Sequence, residues 1–549
     1  MIYNPRSAKS IFYVAALGFS APVWSSPLMD CDDTADKPQI SDITININPI
    51  FDEPQARTFE WFYDAANRFH IGTQVSVVQQ DLLFGIGDTL DINVLKETER
   101  HLRARRYFAD ARIKAEVIEC GQVRVNVDVK EVWTFEPHVQ FSQTGDQSTF
   151  GFGIEESNFL GLGKTIAISK FTDDYRSGTL FGYFDPNTGF YNSTLGVKYA
   201  DYDDGHVKRL TWTRPFESLR TPWSTGFETV EYERHDRYYN GGEEFDVYQV
   251  ENERYSVFFG RLLRTSGHDK VLRFKVGYQT QNAAYEGLAS TRNLALVPQD
   301  QKLQYPWLEL HQVEKDFIEI RNLEEMNRVE DVNLGLFALV RLGYAQSEQD
   351  DFDDSIPLQL GLLRYFQWSD KQFSRAQMHF SGFYNEQWYD TNLNMTLAHF
   401  YKPKAFGGRT QTYVQYHEAR LIAPAAGQYL ELGTQFGARG YPARYQLGDR
   451  RQVLTLEQRF YGIREWFSLF YVGGALFYDV AKAWGEAPFQ QADTSVLQSA
   501  GFGLRISTNR LSGNENGGHS TLHVDLATPV NPEQPVDRFQ FSFAVKKSF

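Results

Sequence analysis

"VLRFKVGYQ", residues 271–279, places Leu272, Phe274, Val276 and Tyr278 on one face of an extended chain and Arg273, Lys275 and Gly277 on the other. Side chains of a β-strand alternate between faces, so this stretch reads as a strand with one apolar and one charged side. "STFGFGIEE" (148–156) repeats the pattern with Phe150, Phe152 and Ile154, and "LHVDLA" (522–527) with Leu522, Val524 and Leu526 against His523 and Asp525. From about Pro137 onward no helical period returns. In a soluble sandwich the charged face meets bulk water. In an outer-membrane barrel it lines the lumen, and the apolar face meets lipid.

Two features favour the barrel. Aromatic residues make up 15% of the 549-residue chain, with 43 Phe, 30 Tyr and 10 Trp, many at the ends of apolar faces. Rings gather there when a wall crosses two membrane interfaces. Connections also alternate between tight ones ("PNTG", "SDKQ", "FGG") and longer acidic ones ("FTDDYRSG", "ADYDDGH", "QSEQDDFDDS"). Barrels place short turns on the periplasmic side and long loops outside, and an even count of up to about 20 strands fits residues 136–549. The formal net charge of −15 argues against nucleic acid as a partner.

The chain opens with Arg6, Lys9 and the apolar run Ile11–Phe19, too short to span a bilayer, and reads as a signal peptide over 1–25, cut after Ser25. Residues 26–135 form a different unit. "ITININ" (43–48) is a strand; Glu53–His70 and "QVSVVQQDLLFGIGD" (74–88) read as helices, the second ended by Gly85 and Gly87. Asp91 is placed to cap a third helix whose Leu95, Thr98 and Leu102 share a face, and two alternating strands flank Gly121. Strand, helices and two strands make a small α+β domain. Cys31 and Cys120 show no zinc-ligand spacing; in an oxidising compartment they are either a disulfide or two free thiols.

No catalytic constellation emerges, and neither a cofactor nor a metal is expected. "GLGKT" (161–165) lacks the first glycine of a phosphate loop and joins strand to strand. "HEARL" (417–421) lacks a second histidine, and "GHSTL" (518–522) lacks the closing glycine of a nucleophile elbow.

"LLFGIGDTLDINVLKETERHLRARRYFADARI" (82–113), closing on "VDVKEVWTF" (127–135), resembles a POTRA domain. "EESNFLGLGKT" (155–165), "YFDPNTG" (183–189), "ARGYPARYQLGDRRQVLTLEQRFY" (438–461), "ALFYDVAKAW" (475–484) and "RFQFSFAVKKSF" (538–549) resemble the barrel of the BamA/TamA superfamily of outer-membrane assembly and translocation proteins. The resemblance implies a periplasmic POTRA domain that binds client or accessory proteins, a 16-stranded barrel in lipid and lipopolysaccharide, and a weakly paired seam between first and last strands; the chain departs from the pattern in having a single such domain, where the better-known assembly proteins carry several, and in its higher strand count. It implies insertion or translocation of proteins. A passive pore or surface antigen, or a secretion pore for one dedicated partner, is the alternative on the same scaffold.

The resemblance also implies that the loop carrying Arg439, Gly440 and Tyr441 folds into the barrel, its arginine meeting acidic residues on the next two strands. Pleating alone nominates the partners. With Leu454, Leu456 and Phe460 outward, Glu457 and Arg459 point inward; with Leu476, Tyr478 and Val480 outward, Asp479 points inward. Gly440 reads as the residue permitting a tight turn, stiffened by Tyr441 and Pro442. At the C-terminus, Phe541, Phe543 and Phe549 share a face with Phe539. This ending resembles the signal read by the barrel-assembly machinery.

Overall fold

The computed structural model describes residues 38–51, 68 and 70–546, apart from 120, 145–146, 174–175, 241–242, 267–268, 348–353, 404–407, 425–427, 468, 487–494, 511–520, 531 and 534–535. The signal-peptide stretch, both cysteines, Phe549 and nearly all of the helix read over Glu53–His70 lie outside the described residues.

In the N-terminal domain the central strand Gln122–Glu131 runs parallel to Gln39–Asn48 and antiparallel to Phe108–Glu119. Its alternation puts Val123, Val125, Val127 and Val129 into the core, where Leu95, Leu102 and Phe108 meet them. The helix Ile92–Arg103 begins where Asp91 accepts a bond from Asn93 N at 2.9 Å, and Leu95, Thr98 and Leu102 are all buried. The preceding helix is shorter than its sequence suggests. It covers only Val75–Gln80 and stops at Asp81, whose buried carboxylate takes the Arg105 guanidinium. The glycines act later: at Gly87 the chain turns with φ +92°, and its N–H donates to Ile40 O at 2.8 Å.

From Phe135–Thr144 to Gln540–Lys546 each strand is antiparallel to the next and the sheet closes into a barrel. It comprises twenty-two strand segments, of which Gln346–Ser347 and Glu465–Trp466 continue the preceding strand past a break. Among the described residues the barrel therefore has twenty strands, not the sixteen that the resemblance implies. Among the described residues, 223–401 supply eight barrel strands, each antiparallel to the next, including the 24-residue strand Glu243–Ser266. The stretch 271–279 behaves as its pleat requires: Val276 and Tyr278 are over 40% exposed on the outside, while Arg273 is 5% exposed inside.

The N-terminal domain sits at one end of the barrel. Its contacts begin at the first turn on that end, where Asn158 Nδ2 donates to Thr73 Oγ1 at 2.9 Å and Gln74 N donates to Gly161 O at 2.9 Å. This is the glycine-rich "GLGKT" stretch. Gly161 and Gly163 have φ near +70°, and a Cβ on either would collide with the domain, at Gly72 and Tyr107 respectively. The turn is a seat for protein, not for phosphate.

Connection length does not sort by end as expected. The acidic "ADYDDGH" stretch is almost wholly strand, with Tyr202 paired to Gly205. The long connection Lys315–Leu336 lies on the domain's own end and forms a hairpin, Phe317–Arg321 against Val329–Asn333. Charged residues in "ADYDDGH" prolong strands beyond the apolar band rather than forming loops, which is why acidity did not report loop length. No helix of the described residues is long and apolar enough to cross a membrane, which says nothing of a barrel.

Candidate functional site

The chain leaves strand Thr410–Ile422 at the end of the barrel far from the N-terminal domain and re-enters the wall at Arg450–Phe460. Between them it folds inward. Leu430–Leu432 pairs with Gln446–Gly448, and Leu432, Ala438 and Tyr441 pack against Val453, Ala481, Ala483 and Leu497 of the inner wall. This buried apolar cluster keeps the base of the loop from water. The Tyr441 ring lies 5.2 Å from that of Tyr445, and its hydroxyl oxygen faces Gln498 N at 3.4 Å.

On this base Arg439 is 9% exposed. Its Nε donates to Asp479 Oδ2 at 2.7 Å, Nη2 to Asp479 Oδ1 at 2.8 Å, and Nη1 to Glu457 Oε2 at 3.1 Å. The guanidinium lies 3.4 Å from the Phe477 ring centroid. Both carboxylates nominated from the pleat are thus in bonding reach, and the fork spans them in a way an ammonium could not.

The arrangement is larger than the pleat alone suggested. Arg459 Nε donates to the other Glu457 oxygen at 3.0 Å, and Arg505 Nη1 donates to Asp525 at 2.6 Å with its Nη2 4.0 Å from Glu457. Arg439, Arg459 and Arg505 face Glu457, Asp479 and Asp525, so formal charges cancel in a buried cluster. Asp479 also accepts from Thr455 Oγ1 at 3.1 Å. Arg459 and Asp525 were visible as inward residues. Arg505 was missed because its partner is set by register: Gly503 stands opposite Asp525, and the absent side chain leaves the space in which Arg505 and Asp525 meet.

Gly440 corrects its own reading. Its φ lies outside the left-handed region. A Cβ there would stand 2.7 Å from Ser499 Cβ and 2.8 Å from Pro529 N and Thr528 C. Glycine is required by the close approach of the loop to the wall, not by a turn.

Of the C-terminal residues, Phe541 is 46% exposed on the outer face and pairs with Leu526, and Phe543 pairs with Val524. The closing seam joins Ser542 to Thr144 and Phe543 to Gln143; among the described residues these two pairs are its whole register, against seven between Thr521–Pro529 and Gln540–Lys546.

At the junction of domain and barrel, His101 Nε2 lies 3.4 Å from Glu217 of a barrel turn and 3.7 Å from Asp81 of its own domain. These three are the one group among the described residues whose ligand atoms could hold a metal ion. Arg105 already occupies the place, with Nε donating to Asp81 at 2.8 Å and Nη2 3.0 Å from His101 Nε2, so a dication would meet a fixed cation. The group works instead as a titrating contact. Burial disfavours the His101 imidazolium, but the bonds to Asp81 and Glu217 outweigh it and Arg105, so its pKa lies above the ordinary 6.5. A raised pKa contributes docking stability in full below about 6.5, lost as pH rises through the docked value. Asp81 moves with His101, so the docking-linked part comes from Glu217. Protection of the Ile92–Arg103 amides, taken relative to their intrinsic exchange rate at each pH, is expected to be greater at pH 6 than at pH 8, with His101→Gln removing the difference. Equal pH dependence in parent and variant would refute it.

No family model matches the chain, and no curated protein matches its sequence. Among solved structures it is similar to CdiB from Acinetobacter baumannii, with 11% identity, 93% of this chain and 74% of that chain covered, and a TM-score of 0.46. BamA from Haemophilus ducreyi lacking POTRA domains 1–3 gives 12% identity, 94% and 86% coverage and a TM-score of 0.42. CdiB from Escherichia coli gives 10%, 97% and 94%, and 0.39. The fold and site themselves define a class: a closed antiparallel barrel with a small α+β domain at one end and an inner loop locked to the wall by an arginine.

Proposed function

We propose that this chain is an outer-membrane barrel of the BamA/TamA type that inserts or translocates proteins. On this reading residues 1–25 are an export signal, 26–135 a periplasmic POTRA-like domain that receives client or accessory proteins, and 136–549 the barrel. The observation that carries the reading is the closing seam. Among the described residues only two register pairs join the first strand to the last, and a weakly paired edge is a template for an incoming strand. The outward apolar face, with Phe150, Phe152, Val257, Leu476 and Phe502 each more than half exposed, suits a lipid surface. Phe541 and Phe543, with Phe549, are its own signal to the barrel-assembly machinery. No catalytic role, cofactor or metal is part of the proposal. Driving force comes from client folding and binding.

A passive pore fits less well, because the inner loop and the Lys315–Leu336 hairpin both fold into the lumen. Comparing outer-membrane and secreted proteomes with and without the gene tests the reading. Depletion of several barrel or secreted proteins is expected. Loss of one secreted protein alone would replace it with a dedicated secretion pore, and no change would overturn it.

A further inference from the structure

Strands Gln301–Glu314 and Phe337–Gly343 are adjacent in the barrel, yet the chain between them runs through the Lys315–Leu336 hairpin. At the same end, Asp370 and Lys371 are enough to join Ile356–Ser369 to Gln372–Asn385. We infer that this hairpin is a stopper seated in the mouth of the barrel by the N-terminal domain, and that its seating governs the Arg439 lock.

The outer end of the hairpin is held by the domain. Arg103, 6% exposed, reaches Asp331 with both Nε (2.8 Å) and Nη2 (2.7 Å). Lys315 Nζ pairs with Glu97 at 2.9 Å, and Arg328 Nη2 donates to Arg103 O at 3.2 Å. The tip is held by the barrel. Leu323, wholly buried, packs on Phe373, Phe400 and Tyr413, and Met326 on Tyr461 and Ala475. Asn327 Nδ2 donates to Gly462 O at 2.6 Å. Within the hairpin, Glu330 accepts from Leu323 N and Glu324 N, so the tip is a formed structure rather than a slack loop.

From the tip a bonded path leads to the lock. Gln411 Nε2 donates to Asn322 O at 3.0 Å and Leu323 O at 3.2 Å, which fixes the orientation of its amide. Gln411 Oε1 then accepts from Arg459 Nη1 at 3.3 Å. Arg459 Nε bonds Glu457 at 3.0 Å, and Glu457 bonds Arg439 at 3.1 Å. The wall keeps the path in one row: Phe373, Phe400, Tyr413, Glu457 and Phe477 stand side by side in register on successive strands. Withdrawing the tip removes the two acceptors of Gln411 Nε2, leaves its amide held only at Oε1 by Tyr461 OH at 2.9 Å and Arg459, and so loosens the Gln411–Arg459 bond beside Glu457. Both ends of the molecule bias the seated position, the domain through Asp331 and the barrel through Leu323 and Asn327. That a client arriving at the domain draws the hairpin out rests on the proposed function; the seating and the coupling do not.

The test uses the full-length chain, in planar bilayers for conductance and in detergent for amide exchange, with Asp331→Ala and Gln411→Ala and no client present. The parent is expected to stay mostly closed. Asp331→Ala is expected to raise open probability about tenfold, and both variants to speed exchange over residues 434–445 by about tenfold. Parent-like conductance and exchange in both variants would overturn the stopper. Faster exchange in Gln411→Ala alone would overturn control by the domain. Should Asp331→Ala fail to assemble, Asp331→Asn, which keeps the shape and loses the charge, is read in the same way. Because no client enters the measurement, failure of the translocation reading leaves these outcomes unaffected.

Discussion

Arg439→Ala is expected to detach the inner loop from the barrel wall, with a local cost of about 3–5 kcal/mol, the range for breaking a buried ion pair from one side. Glu457 and Asp479 are 6% and 1% exposed, so water does not replace the lost guanidinium. Asp479 retains Thr455 and a long contact to Ser499 Oγ at 3.5 Å, which leave its charge largely uncompensated. Arg459 still reaches Glu457, so Asp479 carries most of the penalty. Arg439→Lys keeps the charge but not the fork that spans both acids, and is expected to recover only part of the loss. Amide exchange over 434–445, and the temperature at which the barrel loses its compact electrophoretic mobility, report the effect. Unchanged exchange and an unchanged transition in Arg439→Ala would show that the loop is held by its apolar contacts alone.

A methyl group at position 440 is expected to act on the same lock without touching its charges. Two of the three atoms that a Gly440→Ala side chain would meet, Pro529 N and Thr528 C, belong to the wall's backbone and have little freedom to yield. The loop must lift instead, which carries the Arg439 fork away from Asp479. Overpacking of this kind costs about 1–3 kcal/mol. Removing the third obstacle with Ser499→Gly is expected to restore little. Full recovery of loop protection in the double variant would mean that the wall side chain, not the backbone, sets the limit.

Both experiments concern residues that the sequence nominated, but for one of them the reason differed. Glu457 and Asp479 were legible because a strand's pleat has a period of two, and a few outward residues fix the inward ones; Arg439, on a loop with no pleat to read, was nominated by the family resemblance alone. Gly440 was legible as a constrained position, yet its constraint comes from Ser499, Thr528 and Pro529, well beyond any local window. Arg505 and Gln411 drew no notice, since nothing in their own segments distinguishes them from other inward polar residues.

The sequence by itself determined that the chain is a small α+β domain followed by a long meander of one-sided strands, and, for the strands with a clear alternation, which residues face in. Those are properties of alternation, capping and turn residues, all read within a few positions. Only the tertiary structure decided between sixteen strands and the twenty found among the described residues, that the "GLGKT" turn seats the domain, and that the Lys315–Leu336 hairpin turns into the lumen. It also decided that three arginines and three acids close into one neutral cluster. The physical reason is register. Pairing between strands brings together side chains from Gln411 to Asp525, and a shift of one residue would turn each of them to the other face. That choice is made by the whole closed sheet and the elements packed inside it, not by any strand alone.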